Sequence, residues 1–290
     1  MYDIENYYNA ETIKEAVTLL KEHPDARVIS GGSDVLIKIR EGKMAGTSLV
    51  SIRDIKEIKG VRLMESGDIY IGAGTTFSHV TNDPVIQKLI PVPGEAVDQV
   101  GGPQVRNIGT IGGNVCNGAV SADSAPTLFS LNAMLRIADG TGGRMVPIRD
   151  FYLGPGKVDL HQGDVLTHIV IPGKDYQGYH GFYSKYSMRN AMNIATLSCS
   201  VVSRINPLKK VLEDVRITFG VTAPVPYRCA KTEEALRGME LGEELYQKVA
   251  ERVREELNPR DSWRDAKAFR LQIALKIAKR ALMDSVCRGM

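Results

Sequence analysis

The chain has 290 residues, a net charge of +3 and a hydrophobic fraction of 43%, which is typical of a globular protein large enough for two domains. The mild basicity comes without a run of Lys or Arg, which argues against nucleic-acid binding. No apolar run approaches the roughly 20 residues of a membrane span, and the acidic, aromatic start is unlike a secretory signal. We therefore expect a cytoplasmic protein.

The first half of the chain alternates short helices and strands. Apolar positions on one face predict a helix over 9–24. A short strand at 27–30 leads into a tight glycine turn at 31–34 and a second element at 35–42. Further predicted elements are a strand with a turn over 48–55, a strand, glycine turn and helix start over 69–83, two helical pieces within 84–101, a short helix running into a strand over 125–139, a strand and loop over 144–157, and a strand over 164–172.

The composition changes at residues 172–181, which are rich in glycine, proline and tyrosine. Two β-rich runs follow over 193–205 and 211–228, and two helical runs come after them over 229–257 and 263–286. Strands followed by helices predict an α+β domain of about 115 residues in this part of the chain.

Two segments combine paired glycines with small polar residues: Ser30–Asp34 and Gly109–Asn114. Glycine allows a positive φ and lets backbone N–H groups approach a ligand with no Cβ in the way. Successive N–H groups in such a turn form a nest that binds anions. Two such segments could hold the two phosphates of a dinucleotide, although a plain tight turn explains either segment alone. The residues leave these two interpretations about equally supported.

The usual catalytic and nucleotide-binding motifs are missing. There is no P-loop, residues 72–77 give only half of a Rossmann fingerprint, and there is no G-x-S-x-G. The five histidines lack metal-ligand spacing and the four cysteines are far apart, so we expect no metal site. Cys116 is expected to be a small packed residue. If this is a redox protein, a cofactor carries the chemistry and the protein positions it.

Two charged candidates allow more than one interpretation. Asp123 lies among small residues, where it either holds a ribose hydroxyl or serves as a helix N-cap. Lys185 and Arg189 are a cationic pair four residues apart. That pattern is as typical of a solvated face as of a ligand contact.

Four motifs follow one another in a recognisable order: SGGSDVLIKIR at 30–40, VGGPQVRNIGTIGGNVCNGAVSADSAPTLFSLNA at 100–133, FYLGPGKVDLHQGDVLTHIVIP at 151–172 and FYSKYSMRNAMNIA at 182–195. Together they resemble the flavin-binding subunits of the molybdenum hydroxylases, in particular those of bacterial xanthine dehydrogenases. The resemblance spans nearly the whole chain. Its R-N-x-G-T-I-G-G-N core with a downstream S-x-D-x-x-P is specific, whereas a single glycine pair is not.

The resemblance implies an α+β fold. A two-part FAD-binding domain of the vanillyl-alcohol-oxidase/CO-dehydrogenase flavoprotein type would cover 1–174, with subdomains that divide near 55–60, and an α+β C-terminal domain would cover 175–290. It also implies that both glycine segments clasp the FAD diphosphate. The FAD-binding residues implied in this way are Arg27, Val28, Ile29, Ser30, Gly31, Gly32, Ser33, Asp34, Val35, Gly109, Thr110, Ile111, Gly112, Gly113, Asn114, Asp123, Val165, Leu166 and Lys185.

The same resemblance implies a division of labour between subunits. A large subunit would hold molybdopterin and oxidise the purine, a [2Fe-2S] subunit would pass electrons to FAD, and FAD would reduce NAD⁺ or another acceptor. This chain would be the electron-transfer subunit of a heterotrimeric xanthine dehydrogenase of purine catabolism or salvage, with no catalytic acid or base and no metal ligand of its own. Two alternatives are a stand-alone flavin-dependent oxidoreductase of the same fold and a non-catalytic nucleotide-binding protein.

Overall fold

A small parallel sheet forms the start of the chain in the computed structural model, which describes residues 2–261 and 266–290. Its elements are β1 (Ile4–Asn9), α1 (Ile13–Glu22), β2 (Arg27–Ile29), α2 (Val35–Arg40) and β3 (Thr47–Ser51). The strands lie in the order β1-β3-β2, with parallel pairing throughout. Helix α1 connects two parallel strands and packs its buried residues on this sheet, as parallel connections require.

The predicted helix over 9–24 is confirmed in its central part. Helix α1 begins after Thr12, whose side chain accepts a hydrogen bond from the N–H of Glu15 and caps the helix. Asn9 instead ends strand β1, which the sequence patterns do not predict. Most residues of β1 are exposed, so no alternation of apolar and polar residues marks this strand.

The second sheet is antiparallel and has five strands. Its elements and the helices around it are β4 (Val61–Leu63), β5 (Ile69–Gly72), α3 (Phe77–Asn82), α4 (Pro84–Leu89), α5 (Pro91–Val97), α6 (Pro103–Arg106), α7 (Ile111–Cys116), α8 (Ser124–Ser130), β6 (Met134–Ala138), β7 (Arg144–Pro147), α9 (Ile148–Phe151), β8 (Tyr152–Gly154), β9 (Lys157–Val158) and β10 (Val165–Ile171). The strand order is β4-β5-β10-β6-β7, and β8 and β9 form a separate ribbon. Ile71, Leu135 and Ile169 of the sheet share one core with Ile111 and Leu128 of α7 and α8.

The third sheet is antiparallel, and its strands pair in chain order. Its elements are β11 (His180–Tyr186), β12 (Leu197–Asn206), β13 (Val211–Gly220), β14 (Tyr227–Arg228), α10 (Ala230–Leu236), α11 (Glu243–Glu256) and α12 (Lys267–Gly289). The prediction of two β-rich runs followed by two helical runs is confirmed. Residues 263–265 of the last predicted run lie outside the described residues. No helix in the described ranges is long and apolar enough to cross a membrane.

Helices cover both faces of the third sheet. Cys199 and Val201 of β12 belong to the core that contains Ala278 of α12. Ser200, which points to the opposite face because side chains alternate along a strand, lies with its Oγ 2.7 Å from Oγ of Ser130 in α8. The face of this sheet that meets α8 is therefore polar and buried.

Arg216 of β13 joins the third sheet to the preceding part of the chain. Its guanidinium donates to the carbonyl oxygen of Asp175 at 2.8 Å and to that of Ser130 at 3.3 Å. It also forms an ion pair of 3.2 Å with the Asp175 carboxylate. Only 5% of Arg216 is exposed. These contacts fix α8 against the sheet and so position the start of α8, where Asp123 lies.

Candidate functional site

The two glycine segments that the sequence singles out lie side by side. A Cβ on Gly31 would overlap the carbonyl oxygen of Ile108, and it would lie 2.7 Å from the carbonyl carbon and 3.1 Å from Cα of Gly109. The segments thus touch through backbone alone, and only glycine at position 31 allows this contact.

The first segment presents a nest of free backbone donors. Gly32 has a φ of 71°, and the N–H groups of residues 31–35 donate to no protein acceptor among the described residues. All five residues are half-buried, so a ligand can reach them. The carboxylate of Asp34 is paired with Lys38 at 2.6 Å. A run of free N–H groups of this kind is a binding site for an anion such as a phosphate.

The second segment differs from the sequence-based expectation of a loop with free N–H groups. Residues 111–116 form helix α7, capped by Thr110, whose Oγ1 accepts the N–H of Gly113. The N–H groups of Ile111, Gly112 and Asn114 donate to Thr75, Ala73 and Thr110 carbonyl oxygens. Apart from the N–H of Thr110, the N–H groups of this segment all donate within the described part of the protein, so the expectation of a second nest of successive free N–H groups is wrong.

The glycines of the second segment serve close packing instead. A Cβ on Gly112 would lie 2.6 Å from the carbonyl oxygen of Ala73, at the end of β5. A Cβ on Gly109 would lie 2.8 Å from the Phe77 ring. Gly113 is exposed, and a Cβ there would lie 2.9 Å from Oγ1 of Thr110, the atom that caps α7. Cofactor contact through this segment remains a prediction that concerns Thr110, Gly113 and the Asn114 side chain.

Two side-chain hydrogen bonds fix the positions of the elements that carry the candidate residues. Nζ of Lys38 in α2 donates to Oδ1 of Asn117 at 3.1 Å, which joins the first segment to the end of α7. Oγ of Ser124 donates to Oδ1 of Asn114 at 2.7 Å, which joins α7 to the start of α8. The candidate residues on three different elements are thus connected directly.

The structure brings together Asp123 and Lys185, which are 62 residues apart. The carboxylate of Asp123 accepts from Nζ of Lys185 at 2.8 Å and from the hydroxyl of Tyr183 at 2.6 Å. Asp123 does occupy the N-cap position of α8, but its side chain makes no capping bond. The N-cap interpretation of its side chain is therefore wrong. Burial raises the pKa of Asp123 although Lys185 and Tyr183 act to lower it.

Lys185 also contacts Gln99, which directly precedes the motif at 100–133 and which the sequence patterns do not identify as a site residue. Nζ of Lys185 donates to the carbonyl oxygen of Gln99 at 2.9 Å. Arg106 holds the segment that follows Gln99 by donating to the carbonyl oxygens of Val100 and Gly101. The glycine pair at 101–102 is the signal that could have identified it. Arg189 does not join Lys185, because it is exposed and donates to the Met192 carbonyl oxygen.

The apolar candidates lie in the cores beneath the site. Val28 of β2 and Val165 of β10 pack in one cluster with α1. Leu166 lies in the central core with Ile111 of α7, and Ile29 packs with α2. Arg27 is exposed at the start of β2. Val165 and Leu166 are consecutive on β10 and so lie on opposite faces of the strand, in two different cores, and their contact with a cofactor stays a prediction.

A cavity of about 210 Å³ opens beside the contact between the two segments. Ser30, Gly31 and Thr110 line it together with two exposed cations, Arg53 and Lys59, which the sequence patterns do not identify. A larger cavity of about 430 Å³ lies between α3, α4 and α5, but Glu95 and Asp98 make its lining acidic. The smaller cavity is the better match to an anionic ligand.

Cys116 is a packed residue, as expected. It ends α7 and packs against the central core, and burial raises the pKa of its thiol to about 12. The neighbouring Tyr152 hydroxyl is buried and has no hydrogen-bond partner within the described ranges. Burial raises the pKa of Tyr152 as well. Neither group is ionised near neutral pH, so neither supplies a nucleophile or a base.

Fold and site together define a class of protein. Residues 2–174 match the family model described as the FAD binding domain in molybdopterin dehydrogenase. Residues 182–285 match the CO dehydrogenase flavoprotein C-terminal domain. The chain belongs to the FAD-binding subunit family of the molybdenum hydroxylases and is an oxidoreductase component, which confirms the resemblance seen in the motifs.

Particular relatives narrow this class. The chain is 35% identical to the xanthine dehydrogenase FAD-binding subunit of Escherichia coli O157:H7, over 99% of this chain and 97% of that one. It is 26% identical to the glyceraldehyde dehydrogenase medium chain of Sulfolobus acidocaldarius, over 96% and 97%. A solved carbon monoxide dehydrogenase chain from Hydrogenophaga pseudoflava superposes with a TM-score of 0.93 at 28% identity, covering 99% of both chains. The predicted α+β flavoprotein fold is thereby confirmed.

The residues present fit a bound FAD. The nest of free N–H groups at 31–35 matches a diphosphate, which accepts hydrogen bonds and carries negative charge. Residue 31 must be glycine, because a Cβ there would overlap the carbonyl oxygen of Ile108, and so the nest contains a residue without a side chain. Lys185 and Asp123 place a buried pair of opposite charges at the start of α8, and their contact with the cofactor stays a prediction.

Proposed function

We propose that the chain binds one FAD along its two glycine segments and acts as the electron-transfer subunit of a xanthine dehydrogenase. The nest of five free N–H groups at 31–35 is the observation that carries this proposal. FAD supplies the redox chemistry, because its ring system accepts electrons and passes them on. The residues of this chain bind the cofactor, orient it and keep its diphosphate fixed.

Each part of the site has a separate task in this proposal. The N–H groups of 31–35 hold the diphosphate, and Thr110, Gly113 and Asn114 complete the opposite wall. Asp123 and Lys185 lie beside the flavin. The strand that carries Val165 and Leu166 supports the cofactor from below. No described residue of the site is placed as an acid or base, which suits a subunit that transfers electrons only.

The domain organisation follows the same division. We infer that residues 1–174 form the FAD-binding domain, with two subdomains that divide near 55–60, and that residues 175–290 form the C-terminal domain. The gap between β3 and β4 supports the first division, since it separates two different sheets. Because Lys185 comes from the third sheet, the C-terminal domain completes the site in this scheme.

We propose the partners and the acceptor by analogy with the relatives. We infer a heterotrimer with a molybdopterin subunit, which oxidises the purine, and a [2Fe-2S] subunit, which delivers electrons to this chain. NAD⁺ or another small molecule then accepts them, in the cytoplasm and as part of purine catabolism or salvage. The near-full-length identity of 35% to a xanthine dehydrogenase FAD-binding subunit supports this assignment over other members of the family.

Purification of the complex from its native host tests the proposal. Two partner chains should co-purify with a tagged copy of this chain, and the complex should contain flavin, molybdenum and iron. Adding a purine should bleach the flavin absorption, and NAD⁺ should restore it. A preparation without flavin, molybdenum and iron would contradict the proposal. Flavin reduction by a substrate with the isolated chain alone would favour a stand-alone oxidoreductase. Equal affinity for ADP and FAD would favour a nucleotide-binding protein.

A further inference from the structure

We propose that Tyr183 is a positioning residue of the FAD site, which acts through the Asp123 carboxylate to hold Lys185 and residues 99–102 in place. This inference rests on the proposed FAD binding, and it assigns a task to a residue that lies in the motif at 182–195 but is not among the FAD-binding residues that the resemblance implies.

The geometry of strand β11 puts both donors on one carboxylate. Tyr183 and Lys185 are two residues apart, so their side chains leave the same face of the strand. That face meets the start of α8, where the Tyr183 hydroxyl donates to Oδ1 of Asp123 at 2.6 Å and Nζ of Lys185 donates to Oδ2 at 2.8 Å. Each carboxylate oxygen is thus held by a different donor.

Burial makes this arrangement sensitive to the loss of either donor. The side chains of Lys185 and Asp123 are 5% and 7% exposed, and Tyr183 is 4% exposed. A buried ion pair is weak evidence for stability, because the cost of removing both charges from water can exceed their attraction. Such pairs are found more often where a function needs the charges.

Few titratable groups act on this carboxylate. Lys185 and Tyr183 of β11 face Asp123 directly and lower its pKa, whereas burial raises it. Ser198 of the neighbouring strand β12 is hydrogen-bonded to the Tyr183 hydroxyl, whereas Cys199 lies in the core on the other face of the sheet and acts on Tyr183 only through its charge. A hydrogen bond to the charged form of a carboxyl group lowers its pKa. The loss of the Tyr183 hydroxyl therefore shifts Asp123 towards its neutral form.

The consequence reaches the cofactor through Lys185. Nζ of Lys185 also donates to the carbonyl oxygen of Gln99 at 2.9 Å, just before the glycine pair at 101–102. A neutral Asp123 holds the ammonium group less firmly, which frees both Lys185 and the Gln99 carbonyl. Residues 99–102 lead directly into α6 and the second glycine segment. Tyr183 thereby fixes a wall of the site without touching the cofactor.

The test compares Tyr183→Phe with a matched control in the full chain. Tyr179→Phe removes the same kind of bond away from the site, because the Tyr179 hydroxyl donates to Oδ2 of Asp214 at 2.7 Å. We expect Tyr183→Phe to raise the FAD dissociation constant about tenfold at neutral pH, and Tyr179→Phe to change it less than about twofold. The pH midpoint of FAD binding should move to higher pH in Tyr183→Phe alone.

A double-mutant comparison distinguishes the proposed role of Tyr183 from a general effect of the substitution on folding. In an Asp123→Asn background, Tyr183→Phe should add less than about twofold to the dissociation constant, because the carboxylate through which it acts is gone. An unchanged pH midpoint in Tyr183→Phe overturns the inference, and so does a full tenfold loss in the Asp123→Asn background. If the wild-type chain binds no FAD, the proposed function fails first, so the two failures are distinguishable.

Discussion

Gly31 touches the carbonyl group of Ile108 so closely that a Cβ on Gly31 would overlap its oxygen. This contact joins two segments that are almost 80 residues apart in the chain and connects the small parallel sheet to α7. It leaves one side of the first segment covered by backbone and the other side open with its free N–H groups. The glycine at position 31 is therefore needed for the shape of the site as well as for its chemistry.

A substitution of Gly31 tests this contact. We expect Gly31→Ala to lower the free energy of unfolding by about 1–3 kcal/mol, because the added methyl group forces the two backbones apart. Gly154→Ala is the control, since nothing lies within 4 Å of the position of its Cβ. Urea unfolding of both variants measures the difference. Equal stability of the two variants would show that the segments can separate without cost.

The buried pair of Asp123 and Lys185 predicts a pH-dependent effect. Since Lys185 lowers the pKa of Asp123, Lys185→Met raises that pKa further above its ordinary value of 3.8. The folded variant then binds the proton more tightly than the unfolded chain does, so its stability falls as the pH rises through the raised pKa. We expect a loss of about 3 kcal/mol near pH 8, with most of the loss recovered near pH 4.

Urea unfolding at both pH values checks this expectation. Lys209→Met is the control, because Lys209 is exposed and its ammonium group has no hydrogen bond or ion pair in the described part of the chain. The control should match the wild type at both pH values. A loss in Lys185→Met that is the same at pH 4 and pH 8 would show that its cause is packing and not the buried carboxylate.

Short motifs in the sequence mark some residues of the site, but they do not show which residues contact one another. The glycine pairs, Asp123 and Lys185 are recognisable because they lie in short motifs. Their partners are not recognisable, since the Lys185 bonds to Asp123 and Gln99 span 62 and 86 residues. The sequence predicts the wrong role for the second segment for a related reason. Whether an N–H group is free depends on the carbonyl groups of Ala73 and Thr75, which come from a distant strand end.

The ion network at Arg216 predicts a large effect on stability. Arg216→Met removes bonds to two carbonyl oxygens and leaves the buried Asp175 carboxylate without this partner. We expect the free energy of unfolding to fall by about 3 kcal/mol. Arg280→Met removes an exposed pair of 3.7 Å with Asp284 and should cost less than about 0.5 kcal/mol. Similar losses in both variants would show that the Arg216 contacts do not fix α8 against the third sheet.

Thiol reactivity separates packed from exposed cysteines. Burial raises the pKa of Cys116 to about 12 and raises those of Cys199 and Cys229, whereas Cys287 is exposed. A thiol reagent near pH 8 should therefore label about one cysteine per chain rapidly. Cys287→Ser should abolish this fast phase. A fast phase that persists in the variant would show that another thiol is open, most simply Cys116 at the site.

Gly32 and Gly42 provide the cleanest pair of variants for the cofactor site. Both have positive φ values, 71° and 76°. A Cβ on Gly32 would lie 3.1 Å from the Leu36 side chain and 3.3 Å from that of Ile29, and the nest needs the positive φ of Gly32, whereas a Cβ on Gly42 has nothing within 4 Å. The two alanine variants thus carry the same kind of backbone strain. Gly112 is a poorer choice, because its Cβ would strike Ala73 and disturb the packing of α7.

Titration of FAD into the flavin-free chain, followed by the change in flavin fluorescence, tests the central claim most directly. The account predicts one FAD per chain for the wild type and for Gly42→Ala, with at least about tenfold weaker binding for Gly32→Ala because the nest is lost. A wild-type chain that binds no FAD, or a Gly32→Ala variant that binds FAD as tightly as Gly42→Ala, would contradict it.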